Sequence, residues 1–292
     1  MTETSGVMVL DPAFPTPRDG SAPEPHCQGP PRPLKSALLD AVPGVVHGIT
    51  GRVPGLGAAD GNVAYSAPRD RQDAWLMRQR WCAALGLDAA RLAVLGQIHG
   101  AAVRKVGADD AGSGARPATD PAGYGDALIS DEPGVVLMTL HADCLPLLLV
   151  DPDRPAVAAV HAGWRGTVAD IAGATVAGMR RAFGSDPARL LGYIGPTIGP
   201  DCYEVGPEVA EAWLAVAPDG QASLRDTGSR PSFDLRRANR HLLAAAGLEP
   251  ARIEVSSICT RHDGDAWFSH RGQGPATGRF GAIIALADRD GD

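Results

Sequence analysis

The chain is poor in the features that tie a protein to a membrane, a nucleic acid or an oxidising compartment. Only 5% of its 292 residues are aromatic, which leaves no stacking platform for single-stranded nucleic acid. Acidic residues outnumber basic ones, giving a formal charge of -7, so there is no basic excess to release counterions from a polyanion. No apolar run approaches the ~20 residues that a bilayer crossing needs, and the N-terminus lacks a basic stretch followed by an apolar one. The five cysteines, at 27, 82, 144, 202 and 259, are odd in number and scattered, unlike a disulfide framework. The eight histidines include no His-x-His pair. These absences predict a cytoplasmic protein without nucleic-acid or membrane partners, with small ligands left open.

What the chain does have is one stretch, residues 135–166, in which two apolar runs bracket Asp151 and a proline-containing turn. Each run is short enough for a buried strand, and the two read as neighbouring core strands. Polar and reactive side chains interrupt this background at His141-Ala142-Asp143-Cys144 and at His161-Ala162-Gly163-Trp164-Arg165-Gly166. Around it, residues 1–34 form a proline-rich stretch that reads as a loosely attached extension, and a single domain is expected over 35–288. Strands are expected over 42–49, over 91–98 pairing with 102–106 as a hairpin, and over 190–194, 253–258 and 280–286. Helices are expected over 70–85, closed by Gly86, over 168–183, stopped by Gly184, over 207–216, opened by Pro207, and from the cap Asp234 to Gly247. Strands and helices interleave without strict alternation, so the class is α/β (α+β), with mixed sheets flanked by helices.

His99, Cys144 and His161 each fall at or just past the end of an expected strand. Gathered at one sheet edge they form a two-imidazole, one-thiolate set, and three protein ligands leave a fourth tetrahedral position open, as in a catalytic zinc site. Their separations, 45 and 17 residues, match no short motif. The same residues also read as a Cys144 and His161 nucleophile–base pair with Asp143 as orienter, or as packing residues at strand ends. Spacing does not separate these readings. His141 reads as a structural strand-end residue, and Cys202 and Cys259 as packing residues.

A resemblance narrows the choice. Gln97-Ile98-His99-Gly100, Asp126-Ala127-Leu128-Ile129-Ser130, Ala142-Asp143-Cys144-Leu145-Pro146, His161-Ala162-Gly163-Trp164-Arg165-Gly166, Ile194-Gly195-Pro196-Thr197-Ile198-Gly199 and Phe268-Ser269-His270-Arg271 stand in the order seen in the YfiH family. That family is also called the laccase-domain or multicopper polyphenol oxidase family, and the resemblance covers about residues 40–287. It implies a mixed-sheet α/β fold likened to the catalytic domain of a deamidating toxin, and a zinc site whose ligands match His99, Cys144 and His161. It also implies phosphorolysis of adenosine, inosine and 5′-methylthioadenosine, with adenosine deamination. Other proposals for the family are copper-dependent phenol oxidation and, in bacteria, removal of misincorporated serine from a peptidoglycan precursor.

Chemistry ranks these expectations. Multicopper oxidation needs several histidine-rich centres, which eight histidines without a His-x-His pair do not build, so zinc is expected over copper. Deamination suits a metal-activated water with Asp143 or Cys144 nearby. Phosphorolysis calls for a guanidinium beside the metal, and Arg165 and Arg52 are the candidates, Arg52 matching the Arg of the family's Thr-x-Arg segment. Arg165 has a second reading, stacked on Trp164 or paired with Asp143. The expected set is therefore Cys144, Asp143 and Arg165 as catalytic residues, Arg52 and Gln97 as substrate-binding residues, and a monomer whose partners are a nucleoside and phosphate.

Overall fold

The computed structural model describes residues 30–287, apart from 227 and 229. In chain order its strands are β1 (Val45–Ile49), β2 (Leu92–Val94), β3 (Val103–Lys105), β4 (Ala127–Ser130), β5 (Val136–His141), β6 (Leu145–Asp151), β7 (Ala156–Ala162), β8 (Leu191–Ile194), β9 (Leu224–Asp226), β10 (Pro231–Phe233), β11 (Ile253–Val255) and β12 (Phe280–Leu286). The helices are α1 (Ala37–Asp40), α2 (Arg71–Ala84), α3 (Trp164–Val168), α4 (Ile171–Phe183), α5 (Pro207–Val216), α6 (Leu235–Ala245) and α7 (His270–Gln273). No helix among the described residues is long and apolar enough to cross a membrane.

Two mixed sheets carry the fold, one ordered β1-β12-β5-β2 and the other β11-β8-β6-β7-β4-β3, with β9 and β10 forming a small ribbon. Side chains alternate across a strand, and the burial pattern shows why both faces of the larger sheet are apolar. Along β6, Leu147 and Leu149 face a core shared with α4 and α6, whereas Leu148 and Val150 face a core shared with Leu137 of β5 and Ile284 of β12. The outer face of the smaller sheet, with Met138 and Ile283, packs on Met77, Trp81 and Cys82 of α2. The layers therefore run helix, four-stranded sheet, six-stranded sheet, helices. Each fully buried Leu or Ile in the seam between the sheets contributes about 1.5–3 kcal/mol.

Local signals mark many helix ends. Asp70 caps α2 by accepting from the Gln72 and Asp73 amides, and Asp234 caps α6 through the Arg237 amide. Gly184 ends α4 in the left-handed region at φ +71°, where glycine carries no Cβ penalty. The expected extension, 1–34, lies mostly outside the described residues. Its last residue, Leu34, exchanges two backbone hydrogen bonds of 2.8 Å with Ile49 of β1.

Three expectations need correction. The hairpin between 91–98 and 102–106 does not form. β2 pairs with β5 in one sheet and β3 with β4 in the other, because the chain turns between the sheets at His99, which adopts φ 58°. The first apolar run of 135–166 is two strands, not one. It leaves the smaller sheet after His141, turns at Asp143 with φ 80°, and enters the larger sheet at Leu145. The helix expected over 168–183 is interrupted: α3 ends at Val168, and Asp170, at φ 58°, restarts the helix by accepting from the Gly173 amide. The pairing of β6 with β7 around Asp151 agrees with the sequence.

Candidate metal centre and cavity

Two of the connections between the sheets, β2 to β3 and β5 to β6, open at the same end of the sandwich. His99 stands on one and Cys144 on the other. Across β6 and β7, Leu145 is opposite Ala162 and Pro146 opposite His161, so the register brings His161 to the same end. The donor atoms of His99, Cys144 and His161 lie within 4.8 Å of one another. The two imidazoles meet edge to face, with ring centroids 4.9 Å apart.

Asp126, immediately before β4 and fully buried, holds this arrangement. Its Oδ1 accepts from the His99 amide at 3.0 Å and from His161 Nδ1 at 2.9 Å. Its Oδ2 accepts from the Gly100 amide at 2.7 Å and the Ile98 amide at 3.3 Å. The same carboxylate thus sets the turn under His99 and the tautomer of His161. With Nδ1–H committed to Asp126, the His161 Nε2 lone pair is free for a metal, the usual arrangement behind a ligating histidine. Burial pushes the Asp126 carboxyl up, but the bonds from His161, Gly100 and His99 outweigh it and hold the group below its ordinary value.

Without a metal the centre is a charged pair. Burial pushes the Cys144 thiol up, but attraction to His161 and hydrogen bonds from His161 and His99 prevail and bring it down to about 6. Burial lowers His161, while the Cys144 thiolate and Asp126 raise it to about 9. A thiolate and two imidazoles form a donor set suited to zinc, with a fourth position left for a ligand. His141 is not part of it. Its Nδ1 meets the Cys144 carbonyl at 3.2 Å and its Nε2 the Thr139 hydroxyl at 2.8 Å, and burial first, then the nearby His161, hold it well below its ordinary value and neutral.

Above the centre lies a cavity of about 650 Å³, a size that accommodates a small organic ligand. Leu95, Leu140 and Ala142 give it apolar walls, and Trp164 and Tyr203 add aromatic surface. Three guanidinium groups, from Arg165, Arg271 and Arg279, also line it.

The sequence matches the family described as multi-copper polyphenol oxidoreductase laccase over residues 46–287. The chain belongs to this family. It is 39% identical to a protein of Deinococcus radiodurans named purine nucleoside phosphorylase, over 89% of this chain and 95% of that one. It is 42% identical to a protein named adenosine deaminase from an unknown prokaryotic organism, over 53% of this chain and 59% of that one. The crystal structure of YlmD from Geobacillus stearothermophilus superposes with a TM-score of 0.80 at 35% identity, covering 85% of this chain and 93% of that chain. The mixed-sheet fold expected from the sequence is the fold of this family.

The expected site residues divide. His99, Cys144, His161, Asp143, Arg165 and Gln97 all border the cavity. Arg165 stacks on Trp164 with Cζ 4.5 Å from the ring centroid and forms no ion pair with Asp143 among the described residues. Gln97 spends its amide on the backbone of Leu140, accepting from its N–H at 2.8 Å and donating to its carbonyl at 3.0 Å, so it is a fixed wall. Arg52 does not reach the cavity. Its guanidinium grips Asp60 at 2.9 Å and the Gly264 carbonyl at 2.8 Å, which ties two loops together elsewhere. Asp143 is not the orienter of His161, since Asp126 takes that role. The Asp143 carboxylate instead accepts from Thr260 Oγ1 and the Arg271 amide, each at 2.6 Å. Asp126 and Arg279 escaped the residue-by-residue reading. A lone acid opening an otherwise apolar strand was the available signal for Asp126, whereas Arg279 follows Gly278 and carries no local signal.

Proposed function

We propose that the chain is a cytoplasmic, zinc-dependent purine nucleoside enzyme. In this reading it cleaves adenosine, inosine and 5′-methylthioadenosine with phosphate, giving the free base and a ribose 1-phosphate or its methylthio analogue, and it deaminates adenosine. The observation that carries the reading is a His2Cys donor set on the floor of a cavity ringed by three guanidinium groups. Relatives named for both activities support it.

His99, Cys144 and His161 would hold the zinc, which supplies Lewis acidity at the cavity floor. The residues around it do the rest. Leu95, Leu140 and Ala142 exclude water from one side of a purine, and Trp164 and Tyr203 offer it aromatic faces. Phosphorolysis joins a phosphate oxygen to C1′ as the bond from C1′ to the base nitrogen breaks, so a dianion must be held in the site. Among the described residues Arg165 has no hydrogen-bonded carboxylate, and with Arg271 and Arg279 it neutralises that charge. Each Asp143 oxygen accepts one protein hydrogen bond and keeps further acceptor capacity, which suits Asp143 for relaying a proton to the departing base or amine.

One observation favours a second reading. Asp126, His161 and Cys144 form a carboxylate–imidazole–thiolate relay with a depressed thiol, the arrangement of a cysteine hydrolase such as an amidase acting on a cell-wall precursor. Metal separates the two. Purified protein incubated with adenosine and inosine, with and without phosphate, should form adenine or hypoxanthine only when phosphate is present, and should lose turnover on zinc chelation. Retained or increased turnover of an amide substrate after chelation, with no nucleoside turnover before it, would replace the first reading by the second.

A further inference from the structure

A second group of metal-type donors lies behind the first. The donor atoms of Cys202, Cys259 and His262 are within 4.8 Å of one another. Cys202 closes a turn of 3-10 helix at Pro200–Cys202, and Cys259 and His262 belong to the loop after β11, joined to the first segment by a parallel bridge between Thr197 and Cys259. Cys202 Sγ is 3.2 Å from His262 Nε2, close to the roughly 3.5 Å between a sulfur and a nitrogen that share one tetrahedral zinc. The Gly199 amide donates to Cys259 Sγ at 3.1 Å. A side chain at 199 would press on Cys259, since a Cβ there would meet its Cβ and Sγ at 3.3 Å. The two cysteines are buried, while His262 is exposed and gives an ion a route in from solvent.

We propose that Cys202, Cys259 and His262 form a second zinc site, of Cys2His composition, with a fourth position open to water. Packing alone accounts for a buried cysteine, but not for two sulfurs and an imidazole nitrogen converging from two segments with a backbone N–H aimed at one of the sulfurs. The site has a mechanical role. Its two segments also supply Thr197 Oγ1 and the Ile198 amide, which bind the Asp143 carbonyl, and Thr260 Oγ1, which binds the Asp143 carboxylate. An ion joining Cys202 to Cys259 and His262 clamps the cradle of Asp143 from behind. This inference does not depend on the nucleoside reading.

The test is zinc content per chain, measured by plasma mass spectrometry on the full-length protein after dialysis against metal-free buffer. Wild type should carry two equivalents, and Cys144→Ala and the pair Cys202→Ser with Cys259→Ser should each carry one. His262→Ala alters only an exposed side chain, so folding is not at stake. It should bind the second equivalent at least about tenfold more weakly in competition with a chelator, with the first unchanged. Cobalt-loaded Cys144→Ala should retain thiolate-to-cobalt charge-transfer absorption, which the Cys202 and Cys259 changes, added to it, abolish. The proposal is overturned if the Cys202 and Cys259 changes leave zinc content as in wild type, or if the intact mass reveals a Cys202–Cys259 disulfide. If Cys144→Ala keeps one zinc while the wild type, carrying two, turns over no nucleoside, this site stands and the nucleoside reading falls.

Discussion

Replacing Asp126 by asparagine tests the centre at its support. The two Asp126 oxygens accept four hydrogen bonds, two at each oxygen, and the residue is fully buried. Asparagine keeps the volume but turns one oxygen into a donor. If the amide nitrogen replaces Oδ2, it faces the Ile98 and Gly100 amides. If it replaces Oδ1, it faces the His99 amide and His161 Nδ1, and the imidazole must move its proton to Nε2, the nitrogen a metal needs. In the first case two backbone donors lose their acceptor; in the second the His99 amide does, and His161 is left in the tautomer that cannot ligate through Nε2. At about 1–3 kcal/mol for each unsatisfied group, with partial relaxation, stability should fall by about 2–4 kcal/mol. Zinc affinity should fall by about 10–100-fold, the usual effect of losing the group behind a ligating histidine. Denaturant unfolding reads the first and chelator competition the second. The wild-type carboxyl titrates below its ordinary value, so its contribution is present above the ordinary carboxylate range and is lost as pH falls through the depressed folded value. The variant should accordingly show a flatter acid limb. An unchanged unfolding midpoint together with unchanged zinc affinity would refute the role given to Asp126.

Three further outcomes are expected. In metal-free protein the Cys144 thiolate predominates above about 6 and is lost below it, so alkylation by iodoacetamide should have its midpoint there. Cys82, pushed up to about 12 by burial, should stay inert, and His161→Ala should move the Cys144 midpoint toward the ordinary thiol value of about 8.5. Peptide mapping across pH reads this, and a midpoint unmoved by His161→Ala would contradict the charged pair. Arg165→Met should remove one charge-assisted contact to phosphate, about 2 kcal/mol or some 30-fold in phosphorolysis, and should spare adenosine deamination, which uses no phosphate. Equal losses in both reactions would move Arg165 out of phosphate binding. Arg52→Ala should leave KM for nucleoside and phosphate unchanged and cost about 1 kcal/mol of stability, since its partners are Asp60 and the Gly264 carbonyl. A raised KM would restore Arg52 to the site.

Strand and helix placement was legible wherever a periodic apolar pattern met a cap or a glycine, as at Asp70, Gly184, Pro207 and Asp234. The two-sheet arrangement was not. Whether 91–98 and 102–106 pair with each other or part company depends on the turn at His99, and that turn is set by a carboxylate 27 residues further on. In the same way, 135–150 reads as one apolar run because β5 and β6 are buried on both faces, and the polar break at His141 to Cys144 points to a site without saying that the chain changes sheets there. The donor residues could be singled out because reactive side chains stand out against an apolar background. Their supports could not, because Asp126, Thr260 and the Arg271 amide act through contacts that sequence distance conceals. Arg52 misled for the converse reason: an arginine near a motif says nothing about which carboxylate its guanidinium finds first.

His99 and Cys144 stand on two of the connections between the sheets, β2 to β3 and β5 to β6, and His161 lies on β7 of the larger sheet. Two of the three donors thus sit on connections rather than inside a strand, so a metal held here would tie both connections to β7. An ion held there would act as a rivet at that end of the sandwich. Stripping it should loosen the interior before the helix-covered outside, and amide exchange should quicken along the inner face of β7 ahead of α2 or α4.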